Sequence, residues 1–275
     1  MTIAVAIRTE SAVVFAADSK ITTAGIAGYE EDGRPRWVDQ TYDNATKVVH
    51  DRTRTLMAMV AGHANIGRVT ATDLISTQSL ELPESAEDQD RKIAELVAKM
   101  EGRKRDYWAS TEVAPENWPG PTVLLAGPRP MENIPRVWRV RLEGAASEIS
   151  EILTEPGIRL EGAYDEVFGL LYGYEFNVLR GICEQLGVGP DGLADAIKTL
   201  KVLRPIDKLN LWAMPVQDAI DMAVFLANVQ VEMDRFLPGT PACGGPIDVM
   251  VLTMAPVPGI LSHPGKVLRH PRSHG

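Results

Sequence analysis

Residues 2–20 read TIAVAIRTESAVVFAADSK, and the fold is decided in that stretch. Ile3, Val5 and Ile7 fall on one face of an extended segment, with Ala4, Ala6 and Arg8 on the other. A period of two is what a strand requires, because successive side chains point to opposite faces. Thr9-Glu10-Ser11 then interrupts, and Ala12-Val13-Val14-Phe15-Ala16-Ala17 follows as an unbroken apolar run. The two segments read as a hairpin whose second strand is largely buried, closed by Asp18-Ser19-Lys20.

Working outward, residues 28–40 (GYEEDGRPRWVDQ) are polar with glycine and proline, and read as an exposed loop or a long hairpin tip. Thr46–Val49 and Thr55–Val60 read as two more strands. Ala61-Gly62-His63 closes the second, and a helical stretch is expected from there to about Leu80. Ile93, Leu96, Val97 and Met100 recur at helical spacing, with charge on the opposite face. Strands are expected at Thr122–Ala126 and Val137–Leu142, with a short one near Ile158–Leu160. Helix is expected over Tyr164–Leu186 and Leu193–Leu203, broken at Gly187–Asp191. Pro215 opens an amphipathic helix with Val216, Ala219, Ile220, Ala223 and Ala227 on one stripe. Gly244-Gly245-Pro246 precedes a last strand, Ile247–Met254. This order suggests sheets with helices on their outer faces, a layered α+β domain. We expect it to occupy residues 1–255, followed by a proline-rich, basic and disordered tail over 256–275.

A net charge of -9, from 28 basic and 37 acidic residues, argues against non-specific binding to nucleic acid or anionic membrane. Two cysteines, Cys183 and Cys243, make neither a disulfide framework nor a zinc site. Residues 1–20 lack the apolar core of a secretory leader, and no run approaches the roughly 20 apolar residues of a membrane span. The expectation is a cytoplasmic protein. Neither G-x-x-x-x-G-K-[ST] nor G-x-G-x-x-G follows a strand, and H-E-x-x-H and G-x-S-x-G are absent. No cofactor and no metal is expected.

The chemistry-bearing candidate is Thr2. If Met1 is removed, one residue presents both a hydroxyl and a free α-amine. That amine has an ordinary pKa of about 7.7–8.0, so it can take the hydroxyl proton. Threonine at position 2 is common and alone carries little weight. Two strands would return the chain to its neighbourhood and bring Asp18 with them. Lys47 opens a later strand. A lysine near the amine would hold the amine's pKa down, and an aspartate would keep that lysine charged. Each has an ordinary alternative: a turn aspartate for Asp18, a strand-edge lysine for Lys47.

Taken in order, Thr2–Arg8, Val13–Lys20, Thr22-Thr23-Ala24-Gly25, Thr46-Lys47-Val48 and Met59–Ala64 resemble the start of a mature proteasome β subunit. The likeness spans about the first 70 residues and points to a bacterial proteasome homologue. Val231–Asp234 and Gly244–Val249 are more loosely similar to the same group's late helix and final strand. The resemblance implies an N-terminal-nucleophile (Ntn) hydrolase: a four-layer αββα sandwich of two antiparallel sheets flanked by helices. It implies that Thr2 attacks the scissile carbonyl, Lys47 tunes the amine, Asp18 fixes Lys47, and the Gly62 backbone N–H is the oxyanion donor. It also implies that Thr22 pairs its backbone with substrate and that Asp234 supports the N-terminal residue from beyond. The partners implied are peptide or unfolded-protein substrate, a homo-oligomeric ring and an ATP-dependent unfoldase.

Departures accompany the likeness. Leu160-Glu161-Gly162-Ala163 stands where the group carries a serine, and Cys243 stands where it has a second one. The loops at 28–40 and Arg235–Ala242 are longer than the group's pattern. In length the chain is nearer the bacterial group regarded as an ancestral β-subunit type than the compact bacterial members, and the sequence assigns it to neither. A catalytically silent scaffold, and an amidase or transpeptidase using the same threonine, are the alternatives.

Overall fold

The computed structural model describes residues 2–29, 34–129, 134–174, 176–201, 205–254 and 259–263. The chain opens with β1 (Ile3–Arg8) and β2 (Ala12–Asp18), then the long hairpin β3 (Ile21–Tyr29) and β4 (Pro35–Tyr42). Next come β5 (Val48–His50), β6 (Met57–Gly62) and a small ribbon, β7 (Asn65–Ile66) and β8 (Val69–Thr70). Helices α1 (Ala71–Ser76) and α2 (Ala86–Trp108) lead to β9 (Pro121–Arg129), β10 (Ile134–Arg141), β11 (Glu148–Ile152) and β12 (Gly157–Gly162). Helices α3 (Asp165–Tyr172), α4 (Phe176–Gln185), α5 (Pro190–Lys201) and α6 (Val216–Asp234) precede β13 (Ile247–Thr253) and β14 (Gly259–His263).

This is a mixed α/β architecture with two five-stranded antiparallel sheets, in the orders β12-β1-β2-β13-β14 and β11-β10-β9-β6-β5. Every residue of β1 and β2 is buried, so both faces of this hairpin are covered. Ile3, Val5, Ile7, Val14 and Ala16 share one apolar cluster with Ala219, Ala223 and Leu226 of α6. The alternate residues Ala4, Ala6, Val13, Phe15 and Ala17 share a second cluster with Met57, Met59 and Leu124 of the other sheet. A third cluster joins that sheet's remaining face, Ala58, Val60, Leu125 and Val140, to Leu74 of α1 and to Ile93, Leu96 and Met100 of α2. Each large side chain so buried contributes about 1.5–3 kcal/mol.

The structure departs from the sequence reading in three places and decides between two alternatives in a fourth. The stretch after Gly62 is not helical at once: the ribbon β7–β8 intervenes, and Thr70 then caps α1 by accepting from Asp73 N at 3.1 Å. Of the two readings of residues 28–40, loop or long hairpin tip, the hairpin holds: 28–29 and 35–40 pair within β3 and β4. The expected helix over 164–186 breaks at Gly173, whose φ of +78° suits the left-handed cap that glycine adopts without strain. Gly259–His263 pair with β13, so strand pairing continues into the stretch assigned to a tail. Residues 264–275 of that expected tail lie outside the described residues. Among the described residues, no helix is long and apolar enough to cross a membrane, and no grouping of His, Cys, Asp and Glu is placed to hold a metal ion.

Candidate active site

The β1–β2 register sets Ala4 opposite Ala17, which brings Asp18 beside the start of the chain. Asp18 is fully buried. Its Oδ1 accepts from Ile3 N at 3.1 Å and from Lys47 Nζ at 2.7 Å. Its Oδ2 accepts from Gly244 N at 2.9 Å and Lys20 N at 3.2 Å. Three segments distant in sequence thus meet on one carboxylate, with the adjacent Lys20 amide as a fourth donor. Burial pushes this carboxyl up from its ordinary value, while the Lys47 ammonium and the Gly244 and Lys20 amides act the other way. All four hydrogen-bonding neighbours are donors, so a proton on Asp18 would face a donor and break a bond. The arrangement therefore holds the ionised form at neutral pH.

Lys47 stands just before β5, and its carbonyl accepts from Val60 N at 2.9 Å, which ties it to β6. Its side chain is only 8% exposed. Thr2 is buried, and its carbonyl accepts from Ala163 N at 2.7 Å. Gly162 makes that approach possible. Its φ is +87°, and a Cβ there would lie 1.9 Å from the Thr2 carbonyl oxygen. The end of β12 can reach the N-terminal residue only as glycine.

Thr2, Thr22, Lys47 and Gly62 all line one cleft of about 620 Å³, together with His63 and Asp73. Gly62 ends β6 opposite Pro121 with φ +77°, and a Cβ on it would meet open space. Backbone conformation, not crowding within the chain, accounts for glycine at this position. Thr22 lies on β3 opposite Thr41.

Asp18 and Asp234 lie outside the cleft lining. Asp18 sits behind Lys47. Asp234, the last residue of α6, accepts from Cys243 N at 2.7 Å and from Gln230 Nε2 at 3.1 Å. Among the described residues no hydrogen bond joins it to Thr2; it reaches the site through the loop. The consecutive amides of Cys243 and Gly244 donate to Asp234 and Asp18 respectively.

Sequence reading missed that double anchor. Its signal was the Gly244-Gly245 pair, but a backbone donor leaves no side-chain signature. Cys243 itself is buried in the cluster beneath α6. Burial first, then the charges of Asp18 and Asp234, push its thiol far up, so it stays protonated and is no nucleophile. Ala163 contributes its backbone N–H to Thr2 but no hydroxyl.

Comparison with known proteins follows this geometry. No known family matches the chain by sequence, and no curated protein does. Solved structures match. The Anbu Gly-1 mutant from Hyphomicrobium sp. strain MC1 is similar with TM-score 0.52 and 15% identity, over 96% of this chain and 87% of that one. A second Anbu structure from the same strain gives TM-score 0.51 and 14% identity, over 96% and 88%. The helical assembly of the Anbu complex from Pseudomonas aeruginosa gives TM-score 0.51 and 14% identity, over 97% and 88%.

In fold, the chain is Anbu-like. This corrects the sequence-based assignment to the proteasome β-subunit group as a bacterial proteasome homologue. The structural neighbours are Anbu proteins, proteasome-like ancestral β-subunits, and identity this low extends to fold alone. The physical reason lies in what the motif encodes. Alternating strands and a glycine turn serve the sheet pairing itself, so they mark the fold and do not separate one group sharing it from another.

Proposed function

We propose that the chain is a threonine peptidase of the Ntn type, acting through Thr2 once Met1 is removed. The observation that carries the reading is the buried Lys47–Asp18 pair at 2.7 Å, whose carboxylate also holds the amide of Ile3, next to Thr2. In the proposed mechanism the free Thr2 amine accepts the Oγ proton, directly or through water, as Oγ adds to the scissile carbonyl carbon. The Gly62 N–H faces the resulting oxyanion. Collapse transfers the proton to the departing amine and leaves an ester on Oγ. Water then hydrolyses the ester, releasing the acid product and restoring the threonine. Lys47 disfavours protonation of the amine by like-charge repulsion, and Asp18 keeps Lys47 charged and aimed. Thr22 offers its backbone to an extended substrate. Asp234 anchors the 243–244 loop against which Asp18 rests.

The same reading takes the three apolar clusters as the seams of a four-layer αββα sandwich, one domain over residues 1–255 with β14 added to its edge. It takes the protein as a cytoplasmic homo-oligomer, enclosed as a ring or open like the helical Anbu assembly; native mass spectrometry separates the two. Nothing among the described residues bears on an unfoldase, and none is part of the proposal. One observation favours a silent scaffold instead: Ala163 meets Thr2 where a hydroxyl could have relayed a proton.

The test is to confirm by mass that the chain starts at Thr2, then add a peptide epoxyketone, which needs hydroxyl and free amine together. An adduct on Thr2, lost in Thr2→Ala, is the expected result. An unmodified chain with a free Thr2 leaves the scaffold.

A further inference from the structure

Two lysines, Lys20 and Lys47, line the cleft of a protein whose net charge is -9. Lys47 is neutralised by Asp18. Lys20 is not. It is 9% exposed, and among the described residues its ammonium meets neither a carboxylate nor any hydrogen-bond acceptor. Its position is nevertheless tightly fixed. Its backbone N–H donates to Asp18 Oδ2 at 3.2 Å, and its stem lies over Gly244, where a Cβ would come within 3.0 Å of Lys20 Cδ. Asp73, the acidic member of the cleft lining among the described residues, is exposed and makes no ion pair with Lys20. The ammonium is therefore open to the cleft with no ion pair among the described residues, and a carboxylate brought there gains a charge-assisted contact.

We propose that Lys20 is a specificity residue: it binds a carboxylate of the substrate, so the cleft prefers peptides carrying an acidic group. The inference rests on the reading of the cleft as a peptide site. The carboxylate can come from an aspartate or glutamate side chain or from a peptide's own C-terminus, which present the same chemistry to an ammonium.

Binding to the Thr2→Ala protein, which cleaves nothing, tests this by titration calorimetry at low salt. Three short acetylated peptides serve as probes: one with glutamate and an amidated end, one with glutamine and a free end, and one with glutamine and an amidated end. At least one carboxylate peptide should bind about tenfold more tightly than the neutral one, as a charge-assisted contact allows. Which one does so identifies the source. The advantage should vanish on adding Lys20→Met, which keeps the stem over Gly244, and persist with Lys20→Arg. Thermal melts of both variants check that the fold is retained. Equal affinity for all three peptides, no binding of any, or an advantage surviving Lys20→Met overturns the inference. A Thr2 adduct without charge preference leaves the peptidase reading standing and removes Lys20 from it. A Lys20-dependent preference on a chain that forms no adduct does the reverse.

Discussion

The hairpin β1–β2 and the helical pair α4–α5 show opposite relations between sequence and structure. Every residue of the hairpin's two strands is buried, and its two faces enter two different apolar clusters. From 178 to 200 only Cys183 is buried among the described residues, while Val178 and Leu186 are 56% and 73% exposed. In the hairpin, one set of side chains must satisfy strand pairing, two packing surfaces and the position of Asp18 at once. In α4–α5 the helical period alone is satisfied. The first region is over-determined, so its sequence reads clearly. The second answers to few contacts within the chain.

That contrast can be broken by measurement. Phe15→Ala should cost about 3–5 kcal/mol, because it empties a fully buried site between the sheets; chemical denaturation reads it. A loss under about 1 kcal/mol would mean that the hairpin is not the rigid element described. Lys47→Ala should cost a comparable amount, about 3–5 kcal/mol, since it strands a buried carboxylate. It should also abolish the epoxyketone adduct, whereas Phe15→Ala should leave the adduct in whatever fraction remains folded. Gly162→Ala comes next, at about 1–3 kcal/mol from left-handed strain, with additional displacement of Thr2. Its sharper readout is slower adduct formation at unchanged secondary structure. At the other end, Leu186→Ala should stay within about 0.5 kcal/mol. A cost beyond 1.5 kcal/mol, on the order of a core truncation, would erase the difference between the two regions.

The same contrast explains what could be read in advance. The strands at 3–8 and 12–18 follow from a period of two bounded by polar residues, and Asp18 follows from where the second strand stops. Lys47 was visible as a charged residue opening an apolar strand. Residues 65–70 were misread as helix because a two-residue ribbon is too short to show a period. β14 was taken for tail because prolines flank it and its short apolar run makes sense only once β13 is there to pair with it. At the site, the side-chain donor to Asp18 was legible, but the three backbone donors, from Ile3, Lys20 and Gly244, were not. They depend on where the loops travel, not on which side chains those residues carry. Group membership was the least legible. The strand alternation and glycine turn that looked diagnostic are features of the fold, which more than one group shares.

The bond from Gly244 to Asp18 also imposes a schedule. A ribosome delivers residues 2–62, and with them Thr2, Asp18, Lys47 and Gly62, long before the loop at 243–244 emerges. Until it does, the carboxylate lacks one of its four donors and α6 has nothing to clamp. The nascent chain therefore carries the parts of its centre through most of synthesis without being able to complete it, and the loop that leads into β13 is the latch.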